Sequence, residues 1–137
     1  MGYSFGERSM RRLAGVDPDL IECAERALAR SRYDMTIPDL GGYRTAEEQA
    51  SCYPHASKCD GYEIKSYHQS GFAIDIIPTY KGYKNTRGMN YFANLMLEEW
   101  QKMLAEGCME MKYKTMTWGG TFGSQGWDKP HFELREI

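Results

Sequence analysis

The fold is decided around the stretch SYHQSGFAID, residues 66–75, in which a polar turn leads into an apolar strand. The strand is predicted to cover residues 73–77, between a glycine and a proline. Successive side chains of a strand point to opposite faces, so Asp75 is expected to face away from the isoleucines beside it. Gly71 can adopt backbone angles that fold the turn back, and we therefore expect His68 to lie beside Asp75.

An aspartate that faces inward needs a partner, because a buried unpaired carboxylate is too costly. A metal ion is one such partner. A neighbouring histidine or arginine is another, and this segment alone leaves both interpretations of Asp75 open.

A second polar cluster lies near the C-terminus, in the stretch WDKPHFE at residues 127–133. His131 and Glu133 share one face of a predicted last strand over residues 131–135, and Asp128 lies just upstream. Two histidines and one aspartate from separate strands make a three-ligand site with an open fourth position, as catalytic zinc requires. A nearby carboxylate can then take a proton from water at that position.

The elements around these clusters are indicated by capping residues and apolar spacing. Asp17 and Pro18 predict the start of a helix, and Thr45 with Glu48 forms a capping box before a short helix that ends ahead of Pro54. The pattern further predicts strands at 35–37 and 109–113, loops at 54–65 and 79–88, and a long helix over about 89–106 that stops at Gly107. We expect a single α+β domain over residues 1–137.

Composition and charge exclude several classes of function. The 137 residues carry 17 Lys+Arg against 19 Asp+Glu, a net charge of −2, which argues against a protein that grips nucleic acid electrostatically. The basic residues near the start alternate with acidic ones, which favours a solvated helical surface. No apolar run is long enough for a signal peptide or a membrane span, so we expect a cytoplasmic protein. Its four cysteines are expected to be thiols, with a Cys52–Cys59 bridge as the alternative.

Three blocks of the sequence resemble the zinc peptidases that cut peptidoglycan stem peptides. That group includes phage L-alanyl-D-glutamate endolysins, bacterial D-alanyl-D-alanine carboxypeptidases and vancomycin-resistance dipeptidases. The blocks are Gly42-Tyr43-Arg44-Thr45, Ser66-x-His68-x-x-Gly71-x-Ala73-x-Asp75 and Asp128-x-x-His131-x-Glu133. The opening stretch FGERSMRRLAGVDPDLIECAERAL, residues 5–28, is similar to the start of phage members. The resemblance implies an antiparallel sheet with packed helices, the small fold that these enzymes share with the Hedgehog signalling domain.

The resemblance also implies roles for individual residues. One zinc ion would be bound by His68, Asp75 and His131. Asp128 would be the general base, and Arg44 would hold the substrate carbonyl or the developing oxyanion.

Other positions near these blocks are expected to support the site. Glu133, Ser66 and Trp127 would orient a ligand or line the substrate cleft, although a plain salt bridge on the strand also fits Glu133. This chain departs from the group at two positions. The vancomycin-resistance members have a glutamate where it has Asp128, and some members have a histidine where it has Lys129.

The function that the resemblance implies is hydrolysis of peptidoglycan by a monomeric, zinc-dependent phage endolysin. The enzyme would wait in the host cytoplasm until lysis and then cut the L-alanyl-D-glutamate bond of the stem peptide. One alternative is a D-alanyl-D-alanine carboxypeptidase or dipeptidase, and another is a non-catalytic module that holds zinc. Nucleic acid and membrane insertion are not expected.

Overall fold

The computed structural model describes residues 2–53, 59–107, 114–122 and 128–136. Its helices and short strands are interspersed along the chain. The helices are α1 (Glu7–Leu13), α2 (Pro18–Arg30), α3 (Ala46–Cys52) and α4 (Thr86–Glu106). The strands are β1 (Met35–Thr36), β2 (Ala73–Asp75), β3 (Ile77–Pro78), β4 (Lys114–Trp118) and β5 (His131–Glu136). The α+β class expected from the sequence is confirmed.

The helix boundaries follow from local capping chemistry. The Asp17 carboxylate accepts a hydrogen bond from the backbone of the first turn of α2. Thr45 and Glu48 form the expected capping box of α3. Helix α4 begins a few residues earlier than its apolar spacing predicts, because Asn85 caps it at the Gly88 amide.

The described strands form two antiparallel sheets. Strands β2, β5 and β4 form one sheet in that order, and β1 pairs with β3 in the other. The prediction of a single strand over residues 73–77 is wrong, because the segment divides between the two sheets after Asp75. The Ile76 amide still donates to the Pro130 carbonyl, whereas Pro78 has no amide hydrogen and lies in the short outer ladder opposite Met35.

The core lies between the two longest helices and the three-stranded sheet. Helix α2 packs against α4, and both bury an apolar face. Ile74 and Ile76 point into this core and are at most 1% exposed, which leaves the opposite face of the strand for Asp75. Fully buried residues of the core include Leu20, Leu28, Ile74, Phe92, Met96, Trp100, Met103 and Phe132.

The remaining sequence predictions have mixed outcomes. The arginine-rich start contains a separate helix, α1, that the sequence analysis did not identify. Arg26 and Arg30 of α2 form ion pairs with glutamates of α4, as suits a charged helical surface. Cys52 is a free thiol that donates to the Glu48 carbonyl, which rules out its bridge to Cys59. The strand predicted at 109–113 lies outside the described residues. No described helix combines the length and apolarity needed to span a membrane.

Candidate metal centre

Three side chains from two strands and one turn converge on a single point. Asp75 at the end of β2 and His131 at the start of β5 are directly opposite each other in the antiparallel register. His68 lies in the 3-10 turn Tyr67–Ser70, immediately before β2. Asp75 Oδ1 is 3.5 Å from His68 Nε2 and 3.1 Å from His131 Nδ1. The sequence prediction that these three residues come together is therefore met by their positions.

The ring of His68 is held by its own turn. Ser66 caps the turn through its side chain, which accepts a hydrogen bond from the His68 amide. His68 Nδ1 is 2.8 Å from the Gly42 carbonyl and donates to it, which directs Nε2 toward Asp75. Gly71 ends the turn at φ 75°, and a Cβ there would lie 2.3 Å from the Gly15 carbonyl oxygen. Glycine is therefore required at this bend, as the sequence predicted.

The ring of His131 is oriented in the opposite sense by Glu133. Glu133 Oε1 lies 2.7 Å from His131 Nε2, so this nitrogen donates and Nδ1 faces the cluster. The other carboxylate oxygen of Glu133 accepts a 2.6 Å hydrogen bond from Arg135 Nε. Both predicted roles of Glu133 thus apply, because it orients His131 and forms a salt bridge with Arg135 along the strand.

Three consecutive backbone carbonyl groups accept hydrogen bonds from the cluster and from Arg44. The Leu40 carbonyl accepts from Arg44 Nε, the Gly41 carbonyl from the Asp75 amide, and the Gly42 carbonyl from His68. Leu40 has a φ of 58°, an unusual value for a residue with a side chain. This strained turn aligns the three carbonyls with three different parts of the centre.

Arg44 is buried behind Asp75, and its side chain is 10% exposed. Its guanidinium donates to the Leu40 carbonyl at 2.6 Å, to Gln49 Oε1 at 3.0 Å and to Asp75 Oδ2 at 3.2 Å. Asp75 therefore has both histidine and arginine partners, in an arrangement that leaves Oδ1 directed at the cluster. The contact with Gln49 was not foreseen, since a glutamine in a short helix carries no distinctive sequence signal.

The charges of the cluster are strongly coupled. Burial opposes ionisation of Asp75, yet the neighbouring His68 and His131 outweigh it and hold the pKa of this carboxyl well below its ordinary value. Burial would lower the pKa of His131, but its hydrogen bonds to Asp75 and Glu133 raise it to about 9. Without a metal, the cluster therefore holds a proton at neutral pH in place of a cation.

Asp128 lies at the edge of the cluster without joining it. Its Oδ2 is 3.9 Å from His131 Nδ1, and its side chain is 28% exposed. Partial burial raises the pKa of its carboxyl, and the nearby Asp75 carboxylate adds to that increase, although His131 opposes it. These properties suit a group that exchanges protons with water near the cluster.

The other predicted site residues are placed as follows. The Lys129 ammonium donates to Asn90 Oδ1 at 3.0 Å and lies over the Trp118 ring. Tyr67 is exposed. Trp127 lies outside the described residues. Tyr83, which the sequence analysis overlooked, lies within electrostatic reach of Asp75 and Asp128.

The cluster fits a tetrahedral metal ion. Ligand atoms at the usual 2.0–2.1 Å from zinc are separated by about 3.3 Å, and the distances from Asp75 Oδ1 to the two histidine nitrogens, 3.5 and 3.1 Å, bracket that value. Each histidine also uses its second ring nitrogen to donate to an oxygen, the usual arrangement of metal-bound imidazole. His68, Asp75 and His131 can therefore hold a metal ion with one position left open.

Comparisons with known proteins relate the chain to peptidases. A family model described as phage L-alanyl-D-glutamate peptidase matches residues 1–134. The L-alanyl-D-glutamate peptidase of Escherichia phage T5 is 38% identical over 82 residues, which cover 60% of this chain and 58% of that protein, less than two thirds of its length. The crystal structure of Serratia marcescens L-Ala D-Glu endopeptidase ChiX aligns with a TM-score of 0.76 at 22% identity, over 98% of this chain and 91% of that chain. This last likeness shows a common fold.

The carbonyl support can be tested at Gly42. A Cβ at this position would lie 1.8 Å from the Arg12 carbonyl oxygen, so Gly42→Ala must displace the segment that holds His68. We expect a loss of about 1–3 kcal/mol in the free energy of unfolding and a 10- to 100-fold weaker affinity for a divalent metal. Denaturant unfolding and titration with Co²⁺ measure the two effects. Gly6→Ala is the control, because a Cβ there meets nothing within 4 Å. Equal behaviour of the two variants would contradict a supporting role for Gly42.

Proposed function

This chain belongs to the phage L-alanyl-D-glutamate peptidase family, and on that premise we propose that it is a zinc metallopeptidase of bacterial peptidoglycan. Its substrate is the stem peptide, and the bond it hydrolyses joins L-alanine to D-glutamate. The observation that carries this proposal is the cluster of His68, Asp75 and His131, whose ligand atoms all lie within 4.8 Å of one another.

Zinc is the metal that this donor set favours. Two imidazoles and one carboxylate match the nitrogen and oxygen ligands of catalytic zinc sites, which keep one position open. Bound zinc would supply Lewis acidity that lowers the pKa of a coordinated water toward neutrality. His68, Asp75 and His131 would hold the ion, while Gly42 and Glu133 fix the histidine rings.

Asp128 is the proposed general base. Its carboxylate lies beside His131 but is not one of the three clustered ligands, so it can accept a proton without releasing the metal. The raised pKa of Asp128, caused first by burial, makes it a stronger base than an exposed aspartate. The same carboxyl can then return the proton to the departing amine of D-glutamate.

Arg44 is proposed to act on the substrate carbonyl as well as on Asp75. A guanidinium carries five N–H donors, and three of its nitrogens already donate to Leu40, Gln49 and Asp75. The N–H groups that remain can donate to an oxyanion as the peptide carbonyl is attacked.

The biological setting follows from the proposed substrate. We propose that this is a monomeric endolysin with one catalytic domain, which reaches the cell wall from the host cytoplasm at lysis. The release of terminal D-alanine is the competing reaction. A carboxypeptidase needs a cation for the terminal carboxylate, and the Lys129 ammonium is instead engaged by Asn90.

Digestion of purified sacculi tests the bond that is cut. The proposal expects new N-terminal D-glutamate groups, a fall in turbidity and fragments that end at L-alanine, as detected by amine labelling and mass spectrometry. Release of free D-alanine without loss of crosslinked wall would establish the carboxypeptidase reaction instead.

Zinc binding is predicted to need both histidines of the cluster. We expect one zinc per chain, and His68→Ala or His131→Ala should lose it because each variant removes one of three ligands. His55→Ala is the matched control and should keep the metal. Metal analysis after dialysis measures the content, and full occupancy in both cluster variants would contradict the assignment.

The affinity for zinc is also predicted to depend on pH. The pKa of His131 is raised from its ordinary 6.5 to about 9 in the metal-free protein, so zinc must displace a proton below that pH. We expect apparent affinity to fall by up to about tenfold per pH unit from 9 toward 7, measured by chelator competition. The bound proton stabilises the metal-free fold most below pH 6.5, and this contribution is lost as the pH rises through 9. A flat affinity profile over this range would contradict a proton shared within the cluster.

Asp128 and Glu133 are predicted to differ in their effects on turnover. Asp128→Asn should keep zinc and lose roughly 10²- to 10⁴-fold in kcat, because it removes the base but no ligand. Glu133→Gln should cost about 10- to 100-fold, because it loosens the orientation of His131. Peptide hydrolysis with parallel metal analysis separates the two, with Glu136→Gln on the exposed end of β5 as the control. A larger loss for Glu133→Gln would exchange the two roles.

Arg44→Lys is predicted to lose about 10²- to 10³-fold in kcat while it keeps its metal. A lysine retains the positive charge near Asp75 but cannot reproduce the planar fork of donors. Steady-state kinetics and zinc affinity are measured together. If zinc affinity falls in step with activity, Arg44 acts only by holding Asp75.

A further inference from the structure

A cavity lined by the end of β3 and the loop that follows it has no part in the chemistry described above. Its volume is about 460 Å³, within the range of small-molecule sites. Its walls are rich in tyrosine rings, with short polar side chains between them. The lining residues on which the argument depends are Tyr3, Tyr33, Tyr80, Thr79 and Asn85.

The walls of this cavity are fixed by backbone and ring contacts. Gly2 packs so closely on α2 that a Cβ would lie 2.1 Å from the Ala29 carbonyl oxygen, which holds the neighbouring Tyr3 in place. The Tyr33 ring packs edge-on against Tyr91 at 5.2 Å. On the opposite wall, Asn85 Nδ2 donates to the carbonyl of Tyr80 at 3.1 Å. The cavity is therefore already formed without an occupant.

The cavity is connected to the metal centre along the chain through β3 and the loop that follows it. Pro78 lines the cavity only three residues after Asp75, which is at most about 10 Å along an extended chain. Tyr80 and Asn85 line the cavity from the ends of this loop. Between them, Tyr83 lies near Asp75 and Asp128, and those carboxylates add to the effect of burial in raising its pKa. The backbone that connects the two places is therefore short.

The lining matches the chemistry of a neutral sugar. Aromatic faces carry partial negative charge and attract the C–H groups on the flat side of a sugar ring, while Thr79 and the second Nδ2 hydrogen of Asn85 can bind hydroxyl or acetamido groups. Arg32 and Asp34 contribute one charge of each sign, so the cavity has no net charge to attract the several carboxylates of a stem peptide.

We propose that this cavity is a glycan subsite that binds the N-acetylmuramic acid and N-acetylglucosamine units next to the scissile peptide. The inference rests on the proposed function, because the L-alanine of the stem is amide-linked to the lactyl group of N-acetylmuramic acid. The sugar then lies within one residue of the bond to be cut, and Pro78 of the cavity lies three residues from Asp75 of the cluster. Binding there positions the wall-attached peptide in preference to a free one.

The test compares two soluble substrates with the zinc-loaded enzyme. One is the disaccharide-tripeptide, and the other is the N-acetylated tripeptide that lacks sugar. The wild-type protein should have the higher kcat/KM on the first. Tyr33→Ala and Tyr80→Ala should each lower kcat/KM about five- to tenfold on the sugar-bearing substrate and leave the sugar-free one unchanged. The control Tyr62→Ala, at an exposed tyrosine that does not line the cavity, should change neither value.

A binding measurement keeps this proposal separate from the proposed function. The β-1,4-linked N-acetylglucosamine tetramer should shift the aromatic NMR signals of Tyr33 and Tyr80 in the wild-type protein, and the alanine variants should bind it several-fold more weakly. If the enzyme cleaves neither substrate but the tetramer binds in this way, the peptidase assignment fails and the subsite stands. Equal losses on both substrates would show a peptide subsite. Those losses, or an absence of tetramer binding, would overturn the proposal.

Discussion

The rest of the structure depends on the ionised carboxylate of Asp75, which is held inside the protein. An unpaired charge in this position would cost several kcal/mol. Asp75 avoids that cost because His68 and His131 lie at one of its oxygens and Arg44 at the other. Each of these partners also donates a hydrogen bond to a second, fixed acceptor. All three side chains are therefore oriented around the charge of Asp75. A centre ordered in this way can exchange its shared proton for a metal ion with little rearrangement.

The surrounding backbone holds these side chains in place. The turn at Leu40, Gly41 and Gly42 directs three carbonyl groups toward the centre, at the cost of a positive φ at Leu40. This turn packs directly on the end of α1, where the Arg12 side chain also donates to the Ile37 carbonyl. The N-terminal helix therefore contributes to the metal centre without supplying any residue to it. That contribution gives a physical reason for a family likeness that begins at the first residues of the chain.

The sheet and its turns place the clustered side chains and Asp128, and the loop after β3 lines the tyrosine-rich cavity. The register between β2 and β5 places Asp75 opposite His131, and the turn before β5 places Asp128 next to them. The loop after β3 brings Tyr83 toward the same carboxylates and Tyr80 toward the tyrosine-lined cavity. A short segment of backbone thus connects the metal centre to the proposed glycan subsite.

The sequence by itself determined the features that depend on neighbours in the chain. Asp17, Thr45 and Gly107 mark helix ends through local hydrogen bonds and backbone angles, and the structure confirms each of them. The motifs also pointed to His68, Asp75 and His131, because residue type and spacing carry that information. Tertiary structure alone decided the division of β2 from β3, the burial of Arg44 against Gln49, and the double contact of Glu133. Asp75 meets His131 across 56 positions of sequence, and Arg44 meets Asp75 across 31. Contacts over such separations arise from packing and strand register, which no local pattern of residues encodes.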